Sequence, residues 1–150
     1  SKIVFLAVKS LLSSGGKSIP RRDIWLFDTS TQSAQKIFSD QTDGISHIFN
    51  PVFLPSDNSI LFSGRKEQFN TLYKYKITSQ HVQDIVLMNT NNNMDIVDFV
   101  LSSDAKSLIV HFPLQGDSAQ YIPTLYFLDG HFQEQLNSFA GFQVISWSAQ

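Results

Sequence analysis

Hydrophobic residues recur along this chain with the spacing of β-strands. In residues 73–77, two tyrosines and an isoleucine alternate with two lysines, a period of two that places one strand face in a core and the other in water. Two continuous apolar runs, KIVFLAV at residues 2–8 and SLIVHF at residues 107–112, predict strands packed on both faces. Residues 41–48 are too polar, and too interrupted by glycine, for a helix. The pattern predicts an all-β protein.

Short apolar phrases repeat in a fixed order along the chain. KIVFLAV at the start is followed by similar phrases from Ser59 and Ser107, and DIWLFDT from Asp23 is followed by similar phrases from Thr71 and Thr124. The step from Asp23 to Thr71 is 48 residues, as is the step from Ser59 to Ser107. A period of about 40 to 50 residues made of four strands is typical of a β-propeller blade. The repeats therefore predict about three blades of four antiparallel strands.

Turn-forming residues separate some of these phrases. SDN at residues 56–58 and SDA at residues 103–105 each stand between two apolar runs. Aspartate and asparagine side chains hydrogen-bond to the backbone of a turn, and asparagine tolerates a left-handed backbone. Both segments are therefore predicted to be tight turns between neighbouring strands.

These phrases resemble those of TolB-like, WD-repeat-like β-propellers. TolB-type propellers repeat Trp-Ser-Pro-Asp-Gly-Lys, then an apolar strand, then Asp-Ile-Trp/Tyr-x-x-Asp. The matching segments are LPSDN at 54–58, LSSDAK at 101–106, ISWS at 145–148, DIWLFD at 23–28 and LYFLDG at 125–130. The glycine of the family phrase is replaced here by asparagine in the first segment and by alanine in the second. The resemblance covers nearly the whole chain and implies a propeller fold in an extracytoplasmic or periplasmic setting.

The repeats also divide the chain into blades. Residues 1–45 read as a blade without its first strand, 46–92 and 93–140 as two further blades, and 141–150 as the first strand of a closing blade. The last segment is expected to complete the first blade by pairing with the strand at residues 3–8. Three blades are fewer than the four to eight of a typical propeller ring. We therefore expect the remainder of a longer chain, or a second copy, to complete the six blades that the resemblance implies.

Composition excludes several classes of protein. The 150 residues are 42% apolar and include 13 phenylalanines, far more buriable surface than a disordered chain carries. The absence of cysteine excludes disulfides and thiolate metal sites, and a net charge of −2 gives no case for nucleic acid as a partner. The longest apolar run, residues 3–8, is far shorter than a membrane span. Residues 1–76 hold 10 of the 11 lysines and arginines, whereas residues 77–150 hold seven acids and one lysine.

No residue constellation predicts catalysis, a metal or a cofactor. GGKS at residues 15–18 lacks the earlier glycine and the following helix of a phosphate-binding loop. Asp95 and Asp98 are three residues apart and fall on opposite faces of a strand. There is no Gly-x-Ser-x-Gly nucleophile motif. The four histidines lack metal-site spacing, and the one at position 111, inside an apolar strand, is expected in the core or at its rim: His47, His81, His111 and His131.

The predicted strand topology indicates a function better than any of these residue motifs does. In an up-and-down blade, polar connections of variable length open on one face, and they are predicted here at residues 10–22, 65–70 and 114–122, and at 40–50 and 89–94. Loops on one face of a rigid scaffold are common places for recognition. The candidate binding residues on this face are Arg21, Arg22, Arg65, Lys66, Asn91 and Asn92.

The leading hypothesis is a non-catalytic module that binds a protein partner through this loop face. One alternative is the propeller of a prolyl-oligopeptidase-like serine peptidase, which would restrict access to a separate catalytic domain. Another is a propeller that binds a small molecule or a glycan. A region encoding a hydrolase beyond residue 150 would favour the peptidase, and ligand-induced melting shifts would favour the small-molecule binder.

Overall fold

The computed structural model describes most of the chain. The described residues are 1–12, 15–16, 18–85, 96, 98–114, 117–128, 133–136 and 140. They contain one short 3-10 helix, Thr42–Gly44, and no helix that is long and apolar enough to cross a membrane. Their strands are β1 Lys2–Leu12, β2 Ser18–Asp28, β3 Ser33–Ser39, β4 Ser46–Leu54, β5 Ser59–Lys66, β6 Phe69–Lys76, β7 His81–Ile85, β8 Asp98–Leu101, β9 Ser107–Leu114, β10 Asp117–Phe127 and β11 Gln133–Gln135.

The strands form three antiparallel sheets in which chain neighbours pair with each other. Their orders are β1-β2-β3, β4-β5-β6-β7 and β8-β9-β10-β11. This up-and-down arrangement confirms the predicted all-β, propeller-like class with about three blades. Among the described residues the first sheet has three strands and the others have four. The predicted closing strand, residues 141–150, lies outside the described residues.

The chain divides into two compact units. Ser1–Ile85 contains the first two sheets, and Val86–Gln150 contains the third. The blade limits after residues 45, 92 and 140 stay predictions.

The core of the first unit lies between its two sheets. The ring of Phe38 on β3 is 5.0 Å from that of Phe62 on β5 and 5.5 Å from that of Tyr75 on β6. Burial of each such side chain contributes about 1.5–3 kcal/mol. The buried cluster comprises Ile24, Phe38, Ile45, Ile48, Ile60, Phe62, Tyr73 and Tyr75.

Burial along the inner strands confirms two of the sequence patterns. On β6, Tyr73 and Tyr75 are buried while Lys76 is exposed, as the period of two predicts. On β9, all six residues of SLIVHF, 107–112, are buried. β9 is an inner strand of the third sheet, and successive side chains point to opposite faces, so the buried run shows that both of its faces are covered.

The prediction that KIVFLAV is packed on both faces is wrong. The side chains of Ile3, Phe5 and Val8 are 52%, 40% and 60% exposed. β1 is an edge strand of the first sheet within the described residues, and Ile3 and Phe5 lie on its face away from the core. Val8 shares the face of Val4 and Leu6 but lies beyond the part of β1 that packs against the core. An apolar run indicates that both faces of a strand can be buried. Whether they are buried depends on which parts of the fold pack against them.

The two predicted tight turns are present. Asn58, between β4 and β5, has φ 53°, and Ala105, between β8 and β9, has φ 57°. Both stand where the family phrase has glycine, the residue that adopts this conformation most readily. In the second turn, Asp104 accepts hydrogen bonds from the Ser102 hydroxyl at 2.6 Å and the Lys106 N–H at 3.1 Å, and these bonds lower the pKa of Asp104.

Three predicted loops are strand hairpins instead. Leu12 pairs with Ser18, so residues 10–22 are mostly strand, and residues 65–70 are interrupted only between Lys66 and Phe69. In residues 114–122, β9 extends to Leu114 and β10 begins at Asp117. The polar side chains of these three segments indicate exposure to solvent, and for that reason the sequence predicts loops there. An exposed hairpin has the same composition, because its backbone groups are satisfied by the partner strand.

Candidate interaction surface

The first unit has an end where several strand termini meet. β3 ends at Ser39 in the first sheet, and β4 begins at Ser46 in the second. The short connection between them therefore joins one end of the first sheet to one end of the second. β5 is antiparallel to β4 and therefore returns to that end at Arg65 and Lys66. The start of β2 lies there too, because Asp23 pairs with Ser39. We call this end, with Arg21, Arg22, Arg65 and Lys66, the basic end.

A buried carboxylate connects the two sheets at the basic end. Asp40 is only 6% exposed, and its side chain accepts hydrogen bonds from the N–H of Arg22 at 2.9 Å and the N–H of Ile48 at 3.2 Å. The N–H of Asp40 in turn donates to the Arg22 carbonyl at 2.8 Å. Asp40 therefore positions β2 relative to β4, and so fixes where Arg22 lies relative to the second sheet.

The second sheet presents its own basic residues beside this connection. Arg65 pairs with Ser46, whose hydroxyl donates to the Arg65 carbonyl at 3.3 Å. The preceding Gly64 packs so closely that a Cβ there would lie 2.6 Å from the Ile45 Cγ2 atom. Arg65 is half-buried and Lys66 is exposed. The strand end is thus held tightly against the connection, and Lys66 projects into solvent.

The structure separates the two adjacent arginines of β2. Successive side chains of a strand point to opposite faces, and Ile24 places the even-numbered face of β2 against the second sheet. Arg22 therefore lies on the face toward the second sheet, as does Lys66, which shares the even-numbered face of β5 with Ile60 and Phe62. Arg65 lies on the opposite face of β5. Arg21 lies on the outer face, where its Nε atom is 4.0 Å from an Asp23 carboxylate oxygen and its side chain is 41% exposed.

Sequence reasoning missed two residues of this end. Asp40 was included only in a predicted loop, although a lone aspartate directly after a strand is a common way to satisfy backbone N–H groups. Lys9 pairs directly with Arg21 across the first hairpin, and it was overlooked because the strand was ended too early. Asn91 and Asn92, the remaining candidates, lie outside the described residues.

The basic end has the chemistry of an anion-recognition surface. Guanidinium groups bind carboxylates through two parallel hydrogen bonds, whereas an exposed ammonium contributes a point charge. In the described part of the chain, no group of three or more histidine, aspartate or glutamate residues is placed to hold a metal ion.

The third sheet contains a buried histidine opposite an aspartate. His111 on β9 is 1% exposed, as expected for a core residue, and pairs with Asp98 on β8. Burial lowers the pKa of His111 from 6.5, and Asp98 partly offsets this shift. On β10, burial raises the pKa of Tyr126 to about 12. Both groups are therefore neutral at pH 7.

The lowered pKa of His111 predicts acid-sensitive stability. An unfolded histidine takes up a proton below pH 6.5, before the folded one does, so folding stability is complete above that pH and falls as the pH drops through the folded pKa. Thermal unfolding of the wild-type chain should shift to lower temperature as the pH falls below 6.5. His111→Gln should reduce this shift, whereas His81→Gln, at an exposed position, should preserve it. An equal acid shift in His111→Gln would contradict the assignment.

A shallow cavity lies between the outer strands of the first unit. Its volume is about 220 Å³, and it is lined by Gln35, Lys36, Ile37, Tyr75, Ile77 and Gln80. Burial raises the pKa of Tyr75, and the nearby Asp43 charge adds to this effect. The amides and the lysine could hydrogen-bond to a small polar ligand. None of the four residues that define the basic end lines this cavity.

Comparison with known proteins supports the fold. No family model and no curated protein matches the sequence. The structure is similar to the crystal structure of TolB from Acinetobacter baumannii, with a TM-score of 0.62 and 15% sequence identity. The similarity covers 90% of this chain and 29% of that chain, so this chain spans less than a third of the TolB chain. At this identity the likeness concerns the three-sheet, propeller-like fold alone.

Proposed function

We propose that this chain is a non-catalytic protein-interaction module that binds a protein partner through the basic end. The observation that carries the proposal is the Asp40 connection, which holds Arg22 of the first sheet beside the strand end of the second, where Arg65 and Lys66 lie. Side chains fixed by rigid strands lose less entropy on binding than those on free loops. The likeness to the TolB fold is compatible with an interaction role and an extracytoplasmic setting.

The basic end defines the chemistry of its partner. Arginine and lysine side chains on neighbouring strands favour a partner surface that is rich in carboxylates. Charge pairs at the rim of an interface mainly accelerate association and weaken as salt increases. The partner is therefore an acidic protein surface whose capture is sensitive to ionic strength. The peptidase-gating and glycan-binding alternatives would not require these charges.

A double charge reversal tests the proposal. Arg22→Glu combined with Arg65→Glu should weaken partner capture about tenfold, because two attractive charges become repulsive. Capture is measured with a photo-crosslinker at Lys66 of the full chain, followed by identification and quantification of the cross-linked proteins by mass spectrometry. The matched control, Lys36→Glu with Lys76→Glu, changes the net charge equally at exposed positions away from the basic end.

The control distinguishes a local surface from a general charge effect. A specific basic end predicts loss in the first double variant and retention in the control. Equal capture by all three proteins, or an equal loss in both variants, would contradict the proposal. Raising the salt concentration should reproduce the loss for the wild-type chain.

A further inference from the structure

The cavity in the first unit has a floor that the core of this unit holds in place. Tyr75 lines the cavity and is buried on β6, where the centre of its ring is 5.5 Å from that of Phe38 in an edge-on arrangement. Ile37 and Ile77 also line the cavity, and both are partly buried against the core cluster. Side chains in a close-packed core sit in single low-energy rotamers. The apolar part of the cavity is therefore preformed, as it is in most small-molecule sites.

A bulge in β3 gives the cavity one of its apolar walls. Ile24 on β2 pairs with Phe38 on β3. The next residue of β2, Trp25, pairs with Lys36, so Ile37 is an extra residue on β3. A bulge turns a side chain away from the face that strict alternation would give it. Phe38 belongs to the core cluster and the preceding Ile37 packs against the same cluster, so the bulge places both on one side.

The rim of the cavity carries two primary amides from different sheets. Gln35 on β3 and Gln80, just before β7, both line the cavity and are exposed to solvent. Because they stand on opposite sides of the cavity, they can contact one ligand from two directions. Each amide offers two N–H donors and an acceptor oxygen. The rim therefore suits a ligand whose polar groups both donate and accept hydrogen bonds, as hydroxyl groups do.

The charges around the cavity favour a ligand without net charge. Lys36 is the one charged residue among the described residues that line it. Burial raises the pKa of Tyr75 and the Asp43 carboxylate adds to this effect, so a negative charge acts on the floor of the cavity. The phenol itself is neutral at pH 7. A cation at the edge and an anion beside the floor partly cancel, and neither an anionic nor a cationic ligand gains much.

The size of the cavity limits the ligand to a single small ring. Its volume of about 220 Å³ equals that of roughly seven water molecules. Pockets for drug-sized ligands are larger, about 300–1,000 Å³. A molecule that combines this size with an apolar ring face and several hydroxyl groups matches both the floor and the rim.

We propose that this cavity binds a neutral monosaccharide. The C–H face of the sugar ring packs on Tyr75, Ile37 and Ile77, and its hydroxyl groups hydrogen-bond to the amides of Gln35 and Gln80. The proposal does not depend on partner binding at the basic end, because the two surfaces share no residue.

A titration of the isotope-labelled full chain with glucose, galactose and mannose tests the proposal by nuclear magnetic resonance. At least one sugar should cause saturable shifts of the backbone amide signals of Gln35, Ile37 and Gln80. The dissociation constant should be on the order of millimolar, because so small a ligand makes few contacts. The sugar that binds should do so at least as tightly as its uronic acid and its amino sugar, since the site has no net charge to favour either.

A double variant tests the role of the two amides. Gln35→Ala combined with Gln80→Ala should weaken sugar binding about fivefold or more, because hydrogen bonds are lost on both sides of the ring. The matched control, Gln68→Ala with Gln83→Ala, removes two exposed amides that do not line the cavity and should leave the affinity unchanged. All four positions are exposed, so both variants should remain folded.

Three results would overturn the proposal. One is the absence of saturable shifts at the cavity residues with all three sugars. Another is tighter binding of the uronic acid or the amino sugar than of the neutral sugar. The third is an equal affinity of the two double variants for the sugar. Arg22→Glu with Arg65→Glu should bind the sugar like the wild-type chain, which separates this site from the basic end.

Discussion

Phe62→Ala is expected to lower the free energy of unfolding by about 3–5 kcal/mol. The Phe62 side chain is fully buried on β5, between Phe38 at 5.0 Å and Tyr73 at 5.7 Å between ring centres. Its removal leaves a cavity at the contact between the first two sheets, which rigid strands on both sides cannot close. Urea denaturation followed by circular dichroism measures the loss as a lower midpoint with little change in slope.

Phe5→Ala is the matched control for this prediction. It removes the same side chain from β1, where the ring is 40% exposed and contacts Trp25 at the surface. The expected loss is about 1 kcal/mol or less, because little apolar surface is removed from a core and no enclosed cavity forms. Similar losses for the two variants would show that the contact between the first two sheets is not the main core of this unit.

Asp40→Asn is expected to lower the free energy of unfolding by about 2–3 kcal/mol. The buried carboxylate of Asp40 accepts hydrogen bonds from the N–H groups of Arg22 and Ile48 with its two oxygens. An asparagine has one carbonyl oxygen, so one buried N–H loses its acceptor and faces an amide donor instead. Chemical denaturation measures this loss directly.

Asp43→Asn provides the matched control for Asp40. It removes an equal charge from the same connection, but Asp43 is exposed, and asparagine tolerates its φ of 54°. The expected change is within about 0.5 kcal/mol. If both variants lose the same stability, the effect arises from net charge and the hydrogen bonds of Asp40 contribute little. Asp40→Asn should also reduce partner capture, because the first sheet is then less firmly held at the basic end.

Much of the architecture could be predicted from local sequence. The alternation at residues 73–77 and the apolar run at residues 107–112 both correspond to strands with the expected burial. The turns at Asn58 and Ala105 were predicted from the aspartates that precede them, and both adopt a left-handed backbone. These signals are local because strand periodicity and turn chemistry involve residues within a few positions of each other.

The candidate site was predictable only in part. The basic residues Arg65 and Lys66 could be identified, but their hairpin was interpreted as a loop because exposed strands and loops share polar side chains. The role of Asp40 depends on Ile48 and on Arg22, which is 18 residues away in the sequence. A contact over that separation leaves no periodic signal in one sequence.

The sequence by itself determined that this protein is built of repeated antiparallel strands, because a period of two and turn residues act over a few bonds. Only the tertiary structure decided which of those strands are covered. KIVFLAV and SLIVHF are equally apolar, yet Phe5 is exposed and Val110 is buried. The tertiary structure also placed Arg21 and Arg22 on opposite surfaces. Burial depends on the neighbouring sheet, and a strand's own composition does not specify that neighbour.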